Sequence, residues 1–281
     1  MQRSFLALSL FALLVLAEDP FLNETQKSGL VSFENGDDMF YWLFESRRDP
    51  DTDPVVLWFT GGPGCASETA LFFENGPFTI NDDMSLNYNE YSWTSVANVV
   101  WVDQPVGTGF SNAAKLSDYT RNEDEVAQDV GLLIRGFLEQ NPQYKGRDLY
   151  VTGESYAGHY IPAISHYIAY NMTDLDMTFK GLAIGNGWVD PYIQYPAYAT
   201  FAYENGLVGK TEYKLLQAGF YGCQKLINTR FDIVALEACT LLTDVILGNP
   251  LNPKFNPYDI REGCDVPPLC YDFSNADEYL N

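Results

Sequence analysis

Apolar residues fall along the chain in runs of two different periods. Val55 to Phe59 and Asn98 to Val102 are short and almost unbroken, as expected of strands buried on both faces. Gly29 to Phe33 and Met39 to Phe44 read as two more strands, joined by a turn at Asn35-Gly36, a pair that favours hairpins. Thr69 to Glu74 reads as a short helix. Val126, Val130, Leu133 and Phe137 recur at helical spacing and predict a helix from about Glu123 to Gln140. Next, Leu149 and Val151 alternate with Tyr150 and Thr152, a strand. Ile161, Ala163, Ile164, Tyr167 and Ile168 return to helical spacing, and Phe179 to Ile184 reads as a further strand. Strands alternating with helices predict an α/β sheet, largely parallel, with a hairpin at its N-terminal edge.

From Pro191 the texture changes. Tyr192, Tyr195, Tyr198, Phe201 and Tyr203 crowd one segment, Thr211 to Phe220 and Ile233 to Leu247 look helical, and Pro250 to Pro268 is irregular. The expectation is a sheet-bearing part over 18–190 and a helical insertion over 191–281 lying on the sheet. Met1 to Ala17 reads as a signal peptide: Arg3, then the apolar stretch Phe5 to Leu16, then a small-residue cleavage site at Val15-Leu16-Ala17. That stretch is shorter than the roughly 20 residues a membrane span needs. A secreted chain makes Asn23-Glu24-Thr25 and Asn171-Met172-Thr173 glycosylation acceptors at Asn23 and Asn171.

With 281 residues, 46% of them hydrophobic, the chain has ample material for one large or two small cores. Its net charge of −22 argues against nucleic acid and anionic membrane as partners and suits a secreted protein or an acidic compartment. The five cysteines then belong to an oxidising compartment. Cys264 and Cys270 close a small loop, and Cys223 and Cys239 lie in one helical region and could pair. Cys65 has no obvious partner, so the odd count leaves either a missing partner or a free thiol.

The stretch Asp148 to Tyr160 carries the candidate chemistry. A strand runs into small residues at Gly153, Ala157 and Gly158 with Ser155 among them, and a helix follows. This order is that of a nucleophile elbow, in which a sharp turn lifts the serine hydroxyl clear of the sheet with a helix N-terminus behind it. The generic pattern has glycine at its fifth position, where this chain has Ala157. A serine hydroxyl needs a base, normally a histidine oriented by a carboxylate. The chain has two histidines, His159 and His166, both on the helix directly behind the elbow, where neither reaches round to the hydroxyl. Gly61-Gly62-Pro63-Gly64 ends an earlier strand and could present backbone N–H groups to a ligand.

The full string from Gly153 to Tyr160, Gly-Glu-Ser-Tyr-Ala-Gly-His-Tyr, resembles the serine carboxypeptidases, α/β-hydrolase-fold peptidases that remove C-terminal residues. Leu57 to Cys65, Trp101 to Ser111 and Ile184 to Pro191 extend the resemblance in family order over most of the chain. The resemblance implies a peptide substrate, an acyl-enzyme on Ser155, no cofactor or metal, and a lysosomal, vacuolar or extracellular setting. It implies an oxyanion hole made by the backbone N–H groups of Gly62 and Tyr156. It places the substrate's free carboxylate at Thr60, Gly61 and Glu154, with Glu74 paired to Glu154 and Trp58 alongside. Thr60 departs from the family's asparagine, and a hydroxyl is a shorter, less directional donor than an amide. Trp188, Tyr195 and Tyr198 match positions lining the site for the residue before the scissile bond. The family's counterpart of Cys65 pairs with a cysteine further along than this chain runs. The triad Asp and His also lie further along, so the chain is expected to be an incomplete α/β-hydrolase core. Alternative readings are a carboxypeptidase-like acyltransferase, or a secreted binding protein without activity.

Overall fold

The computed structural model describes residues 21–229 and 232–280; the expected signal peptide lies outside them. A six-stranded sheet has the order β1-β2-β6-β3-β7-β8. The hairpin β1 (Gln26–Ser32) and β2 (Asp38–Phe44) is antiparallel and occupies one edge. β2 pairs antiparallel with β6 (Asn98–Val102). From there β6, β3 (Val55–Phe59), β7 (Asp148–Glu154) and β8 (Thr178–Gly185) run parallel, as the strand–helix alternation predicts.

The central strands are buried on both faces, and alternate residues serve different cores. Val55, Leu57 and Phe59 pack with α2 (Glu123–Gln140) and α3 (Ala157–Asn171). Val56 and Trp58 face α1 (Glu68–Phe73) and the small hairpin β4 (Phe78–Ile80) and β5 (Leu86–Tyr88). α2 starts where predicted because the Asn122 side chain accepts a hydrogen bond from Glu125 N, and three acids fill its first turn.

Beyond β8, α4 (Pro191–Glu204), α5 (Lys210–Ile227) and α6 (Asp232–Leu247) build a core of their own around Tyr195, Leu216 and Phe220. The Cys223–Cys239 disulfide ties α5 to α6, and Cys264–Cys270 closes a small loop within the irregular stretch. The segment expected as one insertion divides its packing. α7 (Ser274–Leu280) returns to α1, where the Tyr279 ring meets Phe72 and the Asn275 amide donates to Asp82 at 3.2 Å.

Candidate active site

Ser155 links β7 to α3 with φ of 57°, a left-handed conformation uncommon for a residue with a side chain. Its surroundings hold it there. Ser155 N donates to Gly185 O at 3.0 Å, while Ser155 O accepts from Gly158 N at 2.9 Å and from Trp188 N at 2.8 Å. The end of β8 therefore straps the turn from one side and the first turn of α3 from the other. The serine is exposed at the tip of the turn.

The glycine turn after β3 lies directly on this elbow. A Cβ on Gly61 would stand 2.5 Å from Tyr156 N and 2.9 Å from Ser155 Cβ, so only glycine permits the approach. Gly62 follows with φ of 109°. Cys65 N donates to Gly61 O at 3.2 Å, Gly64 N to the Tyr160 hydroxyl at 3.2 Å, and Thr60 N to Ser67 Oγ at 3.1 Å. The turn is thus closed by its own bonds and by Ser67, and the Gly64–Tyr160 bond ties it to the helix that follows Ser155. Tyr156 is fixed too, its hydroxyl donating to Glu123 at 3.4 Å.

Two carboxyl groups meet beside the serine. Glu74 follows α1, Glu154 ends β7, and their side chains are in hydrogen-bonding contact. Burial, then the neighbouring Glu154 charge, pushes Glu74 up to about 8. Burial also raises Glu154. Two close acids titrate as one unit and share a proton across neutral pH. Thr60 is buried at the end of β3, and its hydroxyl accepts from the Trp58 indole N–H at 3.1 Å, leaving the hydroxyl proton free to donate elsewhere. Trp58 itself is a core residue packed edge-on against Trp93 at 5.2 Å.

Two groups outside the expected carboxylate site also face this pair. Tyr258, from the irregular stretch before α7, is raised by burial and then by Cys65 and Glu154. The Cys65 thiol is raised by burial and then by Glu154, and it is free among the described residues. No local pattern could have found Tyr258, because only the fold returns the chain to the elbow.

Aromatic rings carry the site outward. Trp188 meets Tyr156 at 5.7 Å and Tyr195 at 5.8 Å, and Tyr195 meets Tyr198 at 5.7 Å. His159 stacks on Tyr156 at 4.8 Å and meets Trp188 edge-on at 5.6 Å, while His166 lies against Tyr170 at 4.7 Å. Among the described residues no hydrogen bond joins either histidine to the Ser155 hydroxyl, no acid, histidine or cysteine cluster could hold a metal, and no helix is long and apolar enough to cross a membrane.

The elbow, the glycine turn and the ordered sequence motifs coincide with one family. The family described as serine carboxypeptidase matches residues 17–281. The chain belongs to the serine carboxypeptidase family. Among similar proteins, serine carboxypeptidase S10 family member 1 of Dictyostelium discoideum is 41% identical over 245 residues, covering 86% of this chain and 58% of that protein. Serine carboxypeptidase-like 49 of Arabidopsis thaliana is 44% identical over 253 residues, covering 88% and 49%. This chain thus spans about half the length of the curated relatives it matches. A crystal structure of a prohormone-processing carboxypeptidase from Saccharomyces cerevisiae superposes with a TM-score of 0.78 at 26% identity, covering 94% of this chain and 62% of that one. The α/β-hydrolase-type fold follows from that likeness and from the sheet order.

Proposed function

We propose that this chain supplies the nucleophile, oxyanion turn and carboxylate pocket of a serine-type carboxypeptidase acting on peptide C-termini. Ser155 attacks the scissile carbonyl and becomes acylated. The backbone N–H groups of Gly62 and Tyr156 receive the developing oxyanion, each typically mattering at about 3 kcal/mol. Thr60, Gly61 and Glu154, with Glu74 behind and Trp58 orienting Thr60, hold the substrate carboxylate. Trp188, Tyr195 and Tyr198 receive the side chain before the scissile bond. The general base and its orienting carboxylate are not assigned to His159 or His166, which are engaged with aromatic rings. The disulfides support a secretory-pathway setting.

The observation that carries this reading is the Glu74–Glu154 pair beside Ser155. A third carboxylate from a peptide would be repelled unless the pair holds protons, and a protonated glutamic acid donates a hydrogen bond to it. The test needs binding alone. Affinity for a blocked dipeptide acid should fall as pH rises through about 8, where Glu74 gives up its proton, while affinity for the matching amide stays level. Glu74→Gln and Glu154→Gln should flatten the acid profile. Coincident acid and amide profiles in the unaltered chain would remove the pair from the carboxylate site.

A further inference from the structure

A second carboxyl pair lies at the other end of α1, away from the proposed substrate carboxylate. Glu68, the first residue of α1, is 5% exposed and Asp103, just after β6, is 1% exposed. Their side chains are in hydrogen-bonding contact, and buried Glu68 Oε2 meets no hydrogen-bond donor among the described residues. Asp103 is the acceptor of the pair. Its Oδ1 takes Ser67 N at 2.8 Å and its Oδ2 takes Phe110 N at 2.8 Å. Two backbone donors favour the ionised form of Asp103, so the proton belongs on Glu68.

Among the described residues neither Glu68 nor Asp103 forms an ion pair with a cation. α1 packs against β4, β6 and α7. β4 carries no ionisable side chain, the end of β6 supplies Asp103, and α7 brings the acids Asp277 and Glu278. The loop from Gln104 to Ser111 is uncharged. Two buried ionised carboxylates in contact here would repel each other without a compensating ion pair, so one of them stays neutral.

The pair is wired to the glycine turn. Ser67, whose N–H is held by Asp103, gives its hydroxyl proton to Val102 O at 2.6 Å and accepts Thr60 N at 3.1 Å. Thr60 is the residue from which Gly61 and Gly62 depart toward Ser155. We propose that Glu68 is a positioning residue: it holds one proton shared with Asp103, and this one-proton pair braces the turn that faces the elbow. When the proton is lost, repulsion separates the two side chains, Ser67 loses its anchor, and the turn loosens from Thr60 onward.

The sign of the pH dependence follows from which form is buried. Burial, then the Asp103 charge, raises Glu68 from the ordinary carboxyl range to about 9. The unfolded chain gives up this proton near the ordinary value and the folded chain only near the raised one. Stability from the pair is therefore full in acid and is lost as pH rises through that window.

The catalytic consequence of the brace rests on the reading of Gly62 as an oxyanion donor, but the brace itself is tested without activity. Hydrogen–deuterium exchange is compared between the unaltered chain and Glu68→Gln at about pH 6 and about pH 9. Glutamine keeps a donor toward Asp103 and has no proton to lose. At the lower pH the peptide spanning Trp58 to Glu68 should exchange alike in both. At the higher pH it should exchange several-fold faster in the unaltered chain, and Glu68→Gln should also melt at the higher temperature. Comparison at one pH cancels the intrinsic acceleration of exchange by base. Equal exchange at the higher pH, or faster exchange in Glu68→Gln at both, overturns the proposal. If peptide acid binding shows no pH dependence in either protein while the exchange difference holds, the carboxylate-pocket reading fails and the brace stands.

Discussion

The Cβ that Gly61 lacks would stand 2.5 Å from the backbone nitrogen of Tyr156. The turn and the elbow are therefore in backbone contact, and their separation is set by the absence of a side chain. Gly61→Ala must open this contact by shifting Ser155, Tyr156 or the turn itself. Overpacking of this kind costs about 1–3 kcal/mol. Urea denaturation should show that loss, and affinity for a peptide acid should fall with it.

Thr60 accepts the Trp58 indole N–H at 3.1 Å, so its own proton is available to a ligand. Thr60→Val keeps the shape and removes the donor. Affinity for a blocked dipeptide acid should drop by about 1 kcal/mol, close to fivefold, while Thr60→Ser keeps it. Calorimetric titration with acid and amide ligands checks this, the amide serving as the internal control.

Cys65 is exposed at the surface yet its thiol is pushed up by burial and then by the Glu154 charge. Removing that charge with Glu154→Gln should lower the thiol pKa and increase the thiolate fraction at about pH 8. Iodoacetamide alkylation of Cys65 should then run faster in the variant than in the unaltered chain. A bound peptide acid should slow it in the unaltered chain.

His159 is stacked on Tyr156, burial lowers its basicity, and no hydrogen bond reaches Ser155 from it among the described residues. The 281-residue chain by itself should turn over neither blocked dipeptides nor esters at a useful rate. Turnover abolished by Ser155→Ala would return His159 or His166 to the catalytic role.

Much of the sheet was legible because its strands are apolar on both sides. Val55 to Phe59 and Asn98 to Val102 coincide with β3 and β6, and α2 spans the predicted Glu123 to Gln140. β1 begins earlier than expected, at Gln26, because an edge strand needs no apolar run and its ladder to β2 is made by backbone. α4 was hidden: its aromatic residues face several directions, it contains Pro196, and its start depends on the Asp190 side chain accepting from Tyr192 N and Ile193 N. The β4–β5 hairpin is too short for any periodicity. At the site, the elbow was visible as a local string, while the Glu68–Asp103 contact joins residues far apart in sequence and needed the sheet to bring β6 beside α1. Tyr258 needed the same long return of the chain.

Trp188 gives the site an optical readout of its own. The chain has five tryptophans. Trp42, Trp58 and Trp101 lie in the sheet core beneath α1, with Trp93 packed on Trp58, whereas Trp188 stands edge-on to His159 and Tyr195. A protonated imidazole quenches indole emission, and burial keeps His159 uncharged until the solution is acidic. Fluorescence from Trp188 would therefore dim in acid. It would also change colour when an apolar side chain displaces water beside it, so occupancy next to the elbow could be followed without a label.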